Sequence, residues 1–400
     1  MKCKVSGKKI TPFMSFGKMP MANGFLDKEE FKDEFFYELE VGFSEDNFLF
    51  QVNDHPKSNK IFNDKYPFYT HKSTYMTNHF RDYFNWIKKN FITNKSKVIE
   101  IGSNDGTFLK NFKNNNIEHI GFEPSKNVAS LSKQSGINVL NEFFNYKNAS
   151  NLKNFKKKTD IICAANVICH VPDLVDLIKG IDVLLSRDGI FVFEEPYLGS
   201  MLKKISYDQI YDAHVFMFSI LSVRKVFQKF DFELIDAHPQ ITHGGSMRYV
   251  VGRKNTKRIS PKIESLLREE VNMNMDSLDA YIKFKKKCEL SRENFKKKIL
   301  AYKDQKKRIC GYAASAKSST VLNYSKIGSE TIDFIADSTE EKIGKFSPGM
   351  HIPIVSIDEF RKQKPDVAIL FAWNHKNEIL EKEKKFSKEG GIWTSHVSEL

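Results

Sequence analysis

The feature that most constrains the fold is a strand, a tight turn and a helix start within residues 97 to 125. An apolar run ends at Gly102, and Ser103-Asn104-Asp105-Gly106 then leads into a helical pattern. A second apolar run ends in the acid Glu123, about twenty residues after the turn, the spacing of a ribose-binding acid. Glycines let the backbone approach a ligand, and such an acid accepts hydrogen bonds from ribose hydroxyls. The stretch therefore predicts a nucleoside-binding βαβ unit.

The turn argues against a dinucleotide as the ligand. It reads Gly-Ser-Asn-Asp-Gly rather than Gly-x-Gly-x-x-Gly, and a pyrophosphate requires bare backbone amides at a helix N-terminus. Asp105 puts an anion in the turn, which suits a cationic or zwitterionic ligand such as the amino-acid end of S-adenosylmethionine. An ordinary glycine-rich turn is the alternative, and it is disfavoured because Glu123 lies where a ribose-binding acid is needed.

Alternating strands and helices extend from residue 97 to about residue 253. The pattern predicts a mostly parallel, doubly wound α/β sheet whose ligands bind at the carboxyl ends of its strands. Predicted strands are 97–101, 118–122, 160–165, 189–194 and 247–252, and predicted helices are 106–115, 125–134, 173–185 and 219–230.

The flanking regions differ from this central unit. Residues 1–75 form a loop-rich N-terminal region with a predicted hairpin, Tyr37–Val41 with Phe48–Val52, followed by an amphipathic helix over 74–92. Alternation resumes after a charged helical stretch. We therefore predict an N-terminal domain (1–75), a central domain (76–255), a helical connector (256–306) and a smaller Rossmann-like domain (307–400).

Composition narrows the class of partner. The net charge is +13, but the lysines are spread along helix faces, so we expect an anionic small substrate rather than nucleic acid. No apolar run reaches the roughly 18 residues of a membrane span, and no signal-peptide core precedes the first domain, so a cytoplasmic protein is expected. The five cysteines are scattered, which predicts reduced thiols and neither a disulfide framework nor a complete cysteine zinc site.

Three loops that follow or precede strands are rich in polar groups. Asn166 to Asp173 contains His170, which either lines the ligand pocket or fixes the loop. The second comprises Glu194 to Tyr197 and then Tyr207 to His214, and its aromatics, acids and histidine suit acid/base work or a structural cover. Thr242 to Arg248 contains His243 and paired glycines, consistent with close approach to a ligand or with a plain hairpin turn.

These residues together resemble the sugar C-methyltransferases of deoxysugar pathways, which methylate carbon 3 of thymidine-diphosphate-linked 4-keto-deoxysugars with S-adenosylmethionine. The resemblance spans essentially the whole chain. It is carried by Pro20-Met21-Ala22-Asn23, Glu100 to Gly106, Asn166 to Asp173, Tyr211 to His214, His243 to Ser246, Gly311 to Lys317, Asn323-Tyr324 and Pro348-Gly349.

The resemblance implies a class I methyltransferase domain between a small zinc-binding domain and a Rossmann-like domain that helps to hold the nucleotide sugar. It implies proton abstraction next to a ketone, with His214 as the base and Tyr211 beside it. S-adenosylmethionine, released as S-adenosylhomocysteine, would be bound by Glu100, Gly102, Ser103, Asn104, Asp105, Glu123, Pro124, Asn166 and His170. Substrate would be bound by Tyr69, His243, Arg248, Lys317 and Asn323.

Two departures from the family pattern matter. The zinc of the family is held by two C-x-x-C pairs, which fall here at Cys3 and Ser6 and at Ser44 and Asn47. Hydroxyls and an amide do not replace thiolates on Zn²⁺, so we expect no zinc. The family pattern Tyr-x-Glu-His reads Tyr211-Asp212-Ala213-His214, so the acid before the histidine is absent.

The expected activity is therefore S-adenosylmethionine-dependent methylation of a nucleotide-linked sugar, with C-methylation through an enolate favoured. One alternative is O- or N-methylation of a sugar or other small molecule, which the loss of the acid at position 213 keeps open. Another is a non-catalytic protein that binds nucleotide sugars or nucleic acid. We expect a monomer, with a dimer as the alternative.

Overall fold

The computed structural model describes residues 1–64, 66–93 and 95–397. Within these ranges the strands form three sheets of four, seven and five strands. The strands are β1 (Thr11–Pro20), β2 (Phe36–Ser44), β3 (Leu49–Val52), β4 (Lys97–Ile101), β5 (Glu118–Phe122), β6 (Val139–Leu140), β7 (Thr159–Ala165), β8 (Leu185–Pro196), β9 (Phe216–Met217), β10 (Phe232–Gln240), β11 (Ser246–Arg253), β12 (Ile309–Tyr312), β13 (Ile335–Asp337), β14 (Ile354–Ser356), β15 (Val367–Leu370) and β16 (Ile392–Thr394).

The α-helices cover both faces of the two larger sheets. They are α1 (Ser58–Ile61), α2 (Thr74–Phe91), α3 (Leu109–Asn114), α4 (Lys126–Gln134), α5 (Tyr146–Ser150), α6 (Leu174–Leu184), α7 (Leu198–Lys204), α8 (Ile220–Gln228), α9 (Pro261–Asn272), α10 (Leu278–Asp304), α11 (Ala316–Ser325), α12 (Ile357–Gln363), α13 (Lys376–Lys382) and α14 (Lys384–Lys388). Across the described ranges, none of them combines the length and apolar character that a bilayer crossing needs.

The central sheet has the order β10-β11-β8-β7-β4-β5-β6. Strands β4 to β8 pair in parallel, whereas β11 is antiparallel to both β8 and β10. The chain leaves β4 towards β5 on one side and later places β7 on the other, so the order reverses between β4 and β7. A reversal of this kind opens a crevice at the carboxyl ends of the two strands. The predicted doubly wound α/β fold is confirmed.

The smaller sheet is parallel throughout, in the order β14-β13-β12-β15-β16. Its order reverses between β12 and β15, so its own crevice lies where these two strands end. The loop after β12 leads into α11, and the loop after β15 contains a turn of 3-10 helix, Trp373–His375. Both loops face the central sheet, as the contacts below show.

Helix α2 illustrates how the sequence pattern sets the packing. Ser73 caps its N-terminus by accepting a hydrogen bond from the Met76 amide at 3.2 Å. Its apolar residues recur every three or four positions and are all buried, as the periodicity predicts: Met76, Phe80, Tyr83, Phe84 and Ile87. The rings of Phe80 and Tyr83 stack on Phe108, which follows the Gly102–Gly106 turn. Helix α2 therefore packs against the end of that turn.

The N-terminal sheet has the order β1-β2-β3-β9, with every pairing antiparallel. The predicted hairpin is present as β2 and β3. Strand β9 belongs to the segment that follows Tyr207–His214, so this sheet is completed by the central part of the chain. The predicted domain boundaries stay predictions. Strand β9 lies within the predicted central domain but pairs with the N-terminal sheet, so sheet membership does not follow chain order here.

The four positions that correspond to the family's zinc ligands converge in space. The Asn47 side-chain amide donates to the Cys3 sulfur at 3.1 Å, and the Ser6 backbone N–H donates to it at 3.4 Å. Burial raises the pKa of the Cys3 thiol, but hydrogen bonds from Ser6, Ser44 and Asn47 outweigh burial and leave this pKa below its ordinary value. One sulfur with an amide donor aimed at it does not fit a zinc site, which requires several thiolate or imidazole ligands.

We predict that protein purified without a chelator carries well below one zinc per chain. The triple substitution S6C/S44C/N47C completes a four-thiolate set at converged positions, so this variant should bind close to one zinc per chain. Metal analysis of both proteins makes the measurement, with S6C alone as the matched control because two thiolates do not complete the site. One equivalent of zinc in the unmodified chain would contradict the prediction.

Candidate functional site

The predicted cofactor turn sits at the crevice between β4 and β7. Gly102, Asn104 and Gly106 all have left-handed φ angles, of 69°, 48° and 79°. A Cβ at Gly102 would lie 2.3 Å from the Val167 side chain, so glycine is required there on both conformational and steric grounds. The turn is held to β5 by the Gly102 amide, which donates to the Phe122 carbonyl at 2.8 Å.

Three carboxylic acids surround this turn. Glu123 is buried, and its carboxylate accepts from the amides of Asn104 at 3.0 Å and Ser125 at 2.8 Å. Burial, opposed in part by these hydrogen bonds, raises the pKa of Glu123. Burial, with the nearby Asp105 and Glu123, raises the pKa of Glu100 well above its usual range. A site that crowds acids together favours a cationic ligand over an anionic one.

Several buried polar atoms around the turn have no partner within the described residues. They are Glu100 Oε2, Ser103 Oγ, Ser125 Oγ and, on the loop after β7, Asn166 Oδ1. Buried polar atoms are normally hydrogen-bonded, so an unpartnered group of them at a strand-end crevice marks a place for a polar ligand. The amino and hydroxyl groups of S-adenosylmethionine fit these acceptors, and its sulfonium fits the acids. Pro124 continues the backbone from Glu123 at the same edge.

A strap formed by residues 66–72 crosses the turn. The His71 amide and its Nδ1 reach one Asp105 oxygen at 2.8 and 2.7 Å, and the Thr70 amide and hydroxyl both donate to Asn104 Oδ1 at 3.1 Å. Tyr69 is therefore placed beside the cofactor turn, where its hydroxyl accepts from the Asn127 side chain at 2.8 Å. The strap brings the predicted substrate residue Tyr69 next to the predicted cofactor residues.

The loop after β7 links the cofactor edge to the second group of candidates. His170 Nδ1 donates to the Ala213 carbonyl at 2.6 Å, and its ring lies 5.1 Å from that of His214. Burial lowers the pKa of His170, so its imidazole is neutral near pH 7. The contact with Ala213 shows that His170 fixes the loop, and its role in lining the ligand pocket stays a prediction.

Tyr211 and His214 form a buried hydrogen-bonded pair. The Gln209 carbonyl accepts from His214 Nδ1 at 2.7 Å, so the proton resides on Nδ1 and Nε2 is an acceptor. The Tyr211 hydroxyl donates to this Nε2 at 2.6 Å. Burial, and then the neighbouring His170, holds the pKa of His214 well below its usual value. Burial raises the pKa of Tyr211, so the phenol stays protonated. The pair offers a neutral base beside a neutral donor.

The two residues between Tyr211 and His214 in the chain take no part in this hydrogen bond. The Asp212 carboxylate is buried and accepts from the Ala22 amide at 3.2 Å, so it faces the N-terminal sheet rather than His214. Burial raises the pKa of Asp212 to about 6. Ala213 contributes only its carbonyl, to His170. The Asp212 carboxylate is therefore directed away from His214, and Ala213 has no carboxylate to offer.

A cleft of about 460 Å³ separates the hairpin turn after β10 from the loop after β15. Its lining includes Gly244 and Gly245 on one side and Trp373 on the other, with Lys204 and Lys376 at its walls. A Cβ at Gly244 would lie 2.2 Å from the Trp373 ring, so this glycine allows the two loops to approach. The cleft is within the size range of small-molecule sites, about 300–1,000 Å³.

His243 and Lys317 lie behind this cleft. His243 has a left-handed φ of 53°, and its Nε2 is buried with no partner among the described residues. Burial, and then Lys317, lowers the pKa of His243 to about 3. Lys317 donates to Asn374 at 3.0 Å and lies 4.8 Å from the centre of the Trp373 ring. A strained backbone with an unpartnered polar atom is typical of a functional site.

Two predicted substrate residues are engaged in structural contacts. Arg248 forms a buried ion pair with Glu194, and its guanidinium lies 3.9 Å from the centre of the Tyr83 ring. The Asn323 amide donates to the carbonyls of Ser319 at 2.8 Å and Pro348 at 3.0 Å, which holds the Pro348-Gly349 turn. Their roles in binding substrate stay predictions, and the contacts seen give both residues a structural role.

Sequence reasoning missed two buried acids near the candidate base. Glu195 accepts from the amides of Val167 and Ile168 at 2.9 and 2.6 Å, and burial raises its pKa to about 7. Asp208 has no exposed side-chain surface and pairs with residues of the smaller Rossmann-like sheet. Both residues belong to the polar loops noted in the sequence, but nothing in the pattern distinguishes a buried acid from a solvated one.

A metal at this site is not inferred. Within the ranges described, Cys169, His170 and His214 form the one group of side chains whose possible ligand atoms all lie within 4.8 Å of one another. Both nitrogens of His214 are already hydrogen-bonded, to Gln209 and Tyr211. Burial, and the neighbouring Glu195, keep the pKa of the Cys169 thiol high, which disfavours the thiolate that a metal requires.

Three family models match successive parts of the chain. A "putative zinc binding domain" matches residues 3–62, a methyltransferase domain matches 75–237, and a C-methyltransferase C-terminal domain matches 241–397. The C-methyltransferase NovU of Streptomyces niveus is 26% identical over 389 residues, which cover 96% of this chain and 92% of that protein. These matches follow the order of the three sheets.

Solved structures resemble part of the chain. The PH0226 protein of Pyrococcus horikoshii is 14% identical, covers 50% of this chain and all of its own, and has a TM-score of 0.39. A SAM-dependent methyltransferase from Archaeoglobus fulgidus is 18% identical, covers 42% of this chain and 71% of its own, with a TM-score of 0.35. At these scores neither likeness supports an argument about function.

The strand order, the acid-lined turn and the three successive family matches all indicate a methyltransferase that uses S-adenosylmethionine. The resemblance drawn from the sequence is confirmed, and the non-catalytic alternative is set aside. The chain is an S-adenosylmethionine-dependent methyltransferase, and it resembles the sugar C-methyltransferases.

Proposed function

We propose that this methyltransferase transfers a methyl group to carbon in a nucleotide-linked keto-deoxysugar, at a position next to the ketone. The observation that carries the proposal is the buried Tyr211–His214 pair, in which a neutral imidazole acceptor lies 2.6 Å from a protonated phenol. Abstraction of a proton next to a ketone requires a neutral base and a donor for the oxyanion that develops. The pair supplies both groups in one place.

The chain's own residues divide this chemistry between them. When bound at the acid-lined turn, S-adenosylmethionine supplies an electrophilic methyl group. Tyr211 first turns its hydroxyl from His214 Nε2 to the substrate ketone oxygen, which frees the lone pair of this nitrogen. His214 Nε2 then takes the proton from the carbon next to the ketone, while the proton on Nδ1 stays there and is donated in a hydrogen bond to the Gln209 carbonyl. The burial of both side chains strengthens these interactions because little water competes for them.

The cleft supports a nucleotide-linked substrate. The loop after β15 meets the hairpin turn after β10 there, so the cleft lies between the smaller sheet and the central sheet. Lys204 and Lys376 at the walls suit a diphosphate, and the Trp373 ring offers a stacking surface for a base. His243 and Lys317 lie between this cleft and His214. We further propose that the enzyme works as a cytoplasmic monomer.

O- or N-methylation is kept as the second candidate because Ala213 replaces an acid of the family pattern. A base near a hydroxyl would serve that reaction as well, and His214 is suited to both. The two reactions differ in whether a carbon-bound proton is removed, so isotope exchange separates them.

The acid Glu123 should control binding of the methyl donor and its product. E123Q removes the charge with little change in shape, and charged hydrogen bonds are worth about 1.5–3 kcal/mol, so S-adenosylhomocysteine should bind roughly 10- to 100-fold more weakly. Calorimetric titration makes the measurement. E118Q, on β5 but in a surface pair with Lys97, is the control and should bind as the unmodified chain does. Equal affinity of E123Q and the unmodified chain would remove Glu123 from the cofactor site.

Isotope exchange should identify the reacting atom. Incubated in D₂O with S-adenosylhomocysteine and a thymidine-diphosphate-linked 4-keto-deoxysugar, the enzyme should exchange the proton next to the ketone. H214Q should slow this exchange by at least about 100-fold, the usual loss for a general base. Mass spectrometry of the sugar makes the measurement, and H238Q, outside the site, is the control. Methylation without exchange at that carbon would favour the O- or N-methyltransferase.

The pH profile should report the depressed pKa of His214. A base must be deprotonated, and burial lowers the pKa of this imidazole from the ordinary value of 6.5, so its active form persists below pH 6.5. The acidic limb of kcat/KM should therefore lie below pH 6.5, with activity lost only as the pH falls further. Initial rates from pH 5 to 8 make the measurement. An acidic limb centred above pH 6.5 would be inconsistent with His214 as the base.

A further inference from the structure

Asp208 is a fully buried carboxylate that the proposed reaction does not use. It lies in the 3-10 turn Tyr207–Gln209, six residues before the candidate base. The Trp373 indole N–H donates to its Oδ2 at 2.8 Å, Lys317 Nζ lies 4.0 Å from the same oxygen, and His396 Nε2 lies 3.1 Å from its Oδ1. All three partners come from the smaller Rossmann-like sheet and its loops.

The contacts with Lys317, His396 and Trp373 explain why the Asp208 carboxylate stays charged although it is fully buried. The side chains of Asp208 and His396 have no exposed surface, and Lys317 is only 13% exposed. Burial alone would raise the pKa of Asp208, but His396, Lys317 and Trp373 outweigh it and hold this pKa below its ordinary value. A buried charge is retained only where its partners are fixed, because an unpaired one is costly.

One peptide unit and one hydrogen bond link this carboxylate to the imidazole of His214. The next residue, Gln209, is the one whose carbonyl accepts from His214 Nδ1 at 2.7 Å and so sets the tautomer of the base. The residue after that, Ile210, is held from the same side, because Thr320 of α11 donates to its carbonyl at 3.1 Å. Movement of Asp208 therefore moves the group that orients His214.

We propose that Asp208 is a positioning residue, which ties the orientation of His214 to the seating of the smaller Rossmann-like sheet against the methyltransferase sheet. It acts through the Gln209 carbonyl and does not touch substrate. Trp373, which lines the cleft, and Lys317, which lies behind it, hold the carboxylate. The orientation of the base thus depends on residues at the proposed nucleotide-sugar cleft. The expected loss of activity rests on the proposed function. The expected effect on the orientation of His214 does not.

The kinetic test uses D208N in the full chain. Asparagine keeps the shape and one acceptor for Trp373 but removes the charge that holds His396 and Lys317. Small misplacement of a reacting group costs about 100-fold, so kcat and the exchange rate should fall by roughly that factor. The KM for S-adenosylmethionine should stay within about 3-fold, because the cofactor turn is untouched. D212N is the matched control, since it neutralises a buried acid of the same segment whose partner is Ala22, and its kcat should stay within about 3-fold.

A spectroscopic readout separates this inference from the proposed function. Nitrogen-15 spectra of histidine-labelled protein, with H214Q to assign the signal, should show a single Nδ1-protonated tautomer of His214 in the unmodified chain and in D212N. D208N should show a mixture of tautomers. This shift is expected whether or not a sugar substrate has been found, so a failure of the sugar assay leaves it testable.

The outcomes are distinct. A 100-fold loss of kcat with a changed tautomer supports the inference, and kcat within 3-fold of the unmodified chain overturns it. A loss of kcat with lowered Tm and an unchanged tautomer also overturns it, since Asp208 would then only stabilise the fold. If D208N does not fold, H396Q and W373F remove one partner each and should shift the tautomer in the same direction. No change in either variant would overturn the inference.

Discussion

The proposed chemistry depends on one hydrogen bond, from His214 Nδ1 to the Gln209 carbonyl. It fixes the proton on Nδ1 and leaves Nε2 as the acceptor that a base needs. Burial then makes the neutral imidazole the stable form, so the base requires no activating carboxylate to be ready near pH 7. This arrangement gives a physical reason why the acid of the family pattern can be absent at position 213 without loss of a usable base.

The cofactor and substrate halves of the site use opposite electrostatics. The turn after β4 concentrates Glu100, Asp105 and Glu123, which stabilise a positively charged ligand. The cleft between the hairpin turn after β10 and the loop after β15 has lysines at its walls, which suits an anionic ligand. Both lie at carboxyl ends of parallel strands because that is where such sheets open. The strap of residues 66–72 contacts the cofactor turn, and the loop with His170 contacts the segment that carries His214.

The sequence located the longer strands of the central sheet that carry unbroken hydrophobic runs, and it was less informative for short or interrupted strands and for buried polar contacts. Such runs between turns located the parallel strands β4, β5, β7 and β8, because buried parallel strands are continuous in hydrophobicity, and also the antiparallel β11. Strand β10 was missed because Glu233 and Asp236 interrupt its run, and β1 was missed because Gly17 and Pro20 suggested turns. The pairings of Arg248 and Asp208 could not be predicted, because ion pairs between distant segments leave no local pattern in the chain.

The N-terminal sheet holds the four positions of the family's zinc pattern close together, although only Cys3 among them is a cysteine. Cys3 remains, and Asn47 donates to its sulfur where a second thiolate would have shared a cation. The rings of Phe13, Phe50 and Tyr281 form a buried cluster that joins this sheet to α10 without a metal ligand. Strand β9 adds a further constraint, since it ties the sheet to the segment that follows His214. The sheet is therefore part of the support for the segment that carries the candidate base, and this role does not depend on a bound metal.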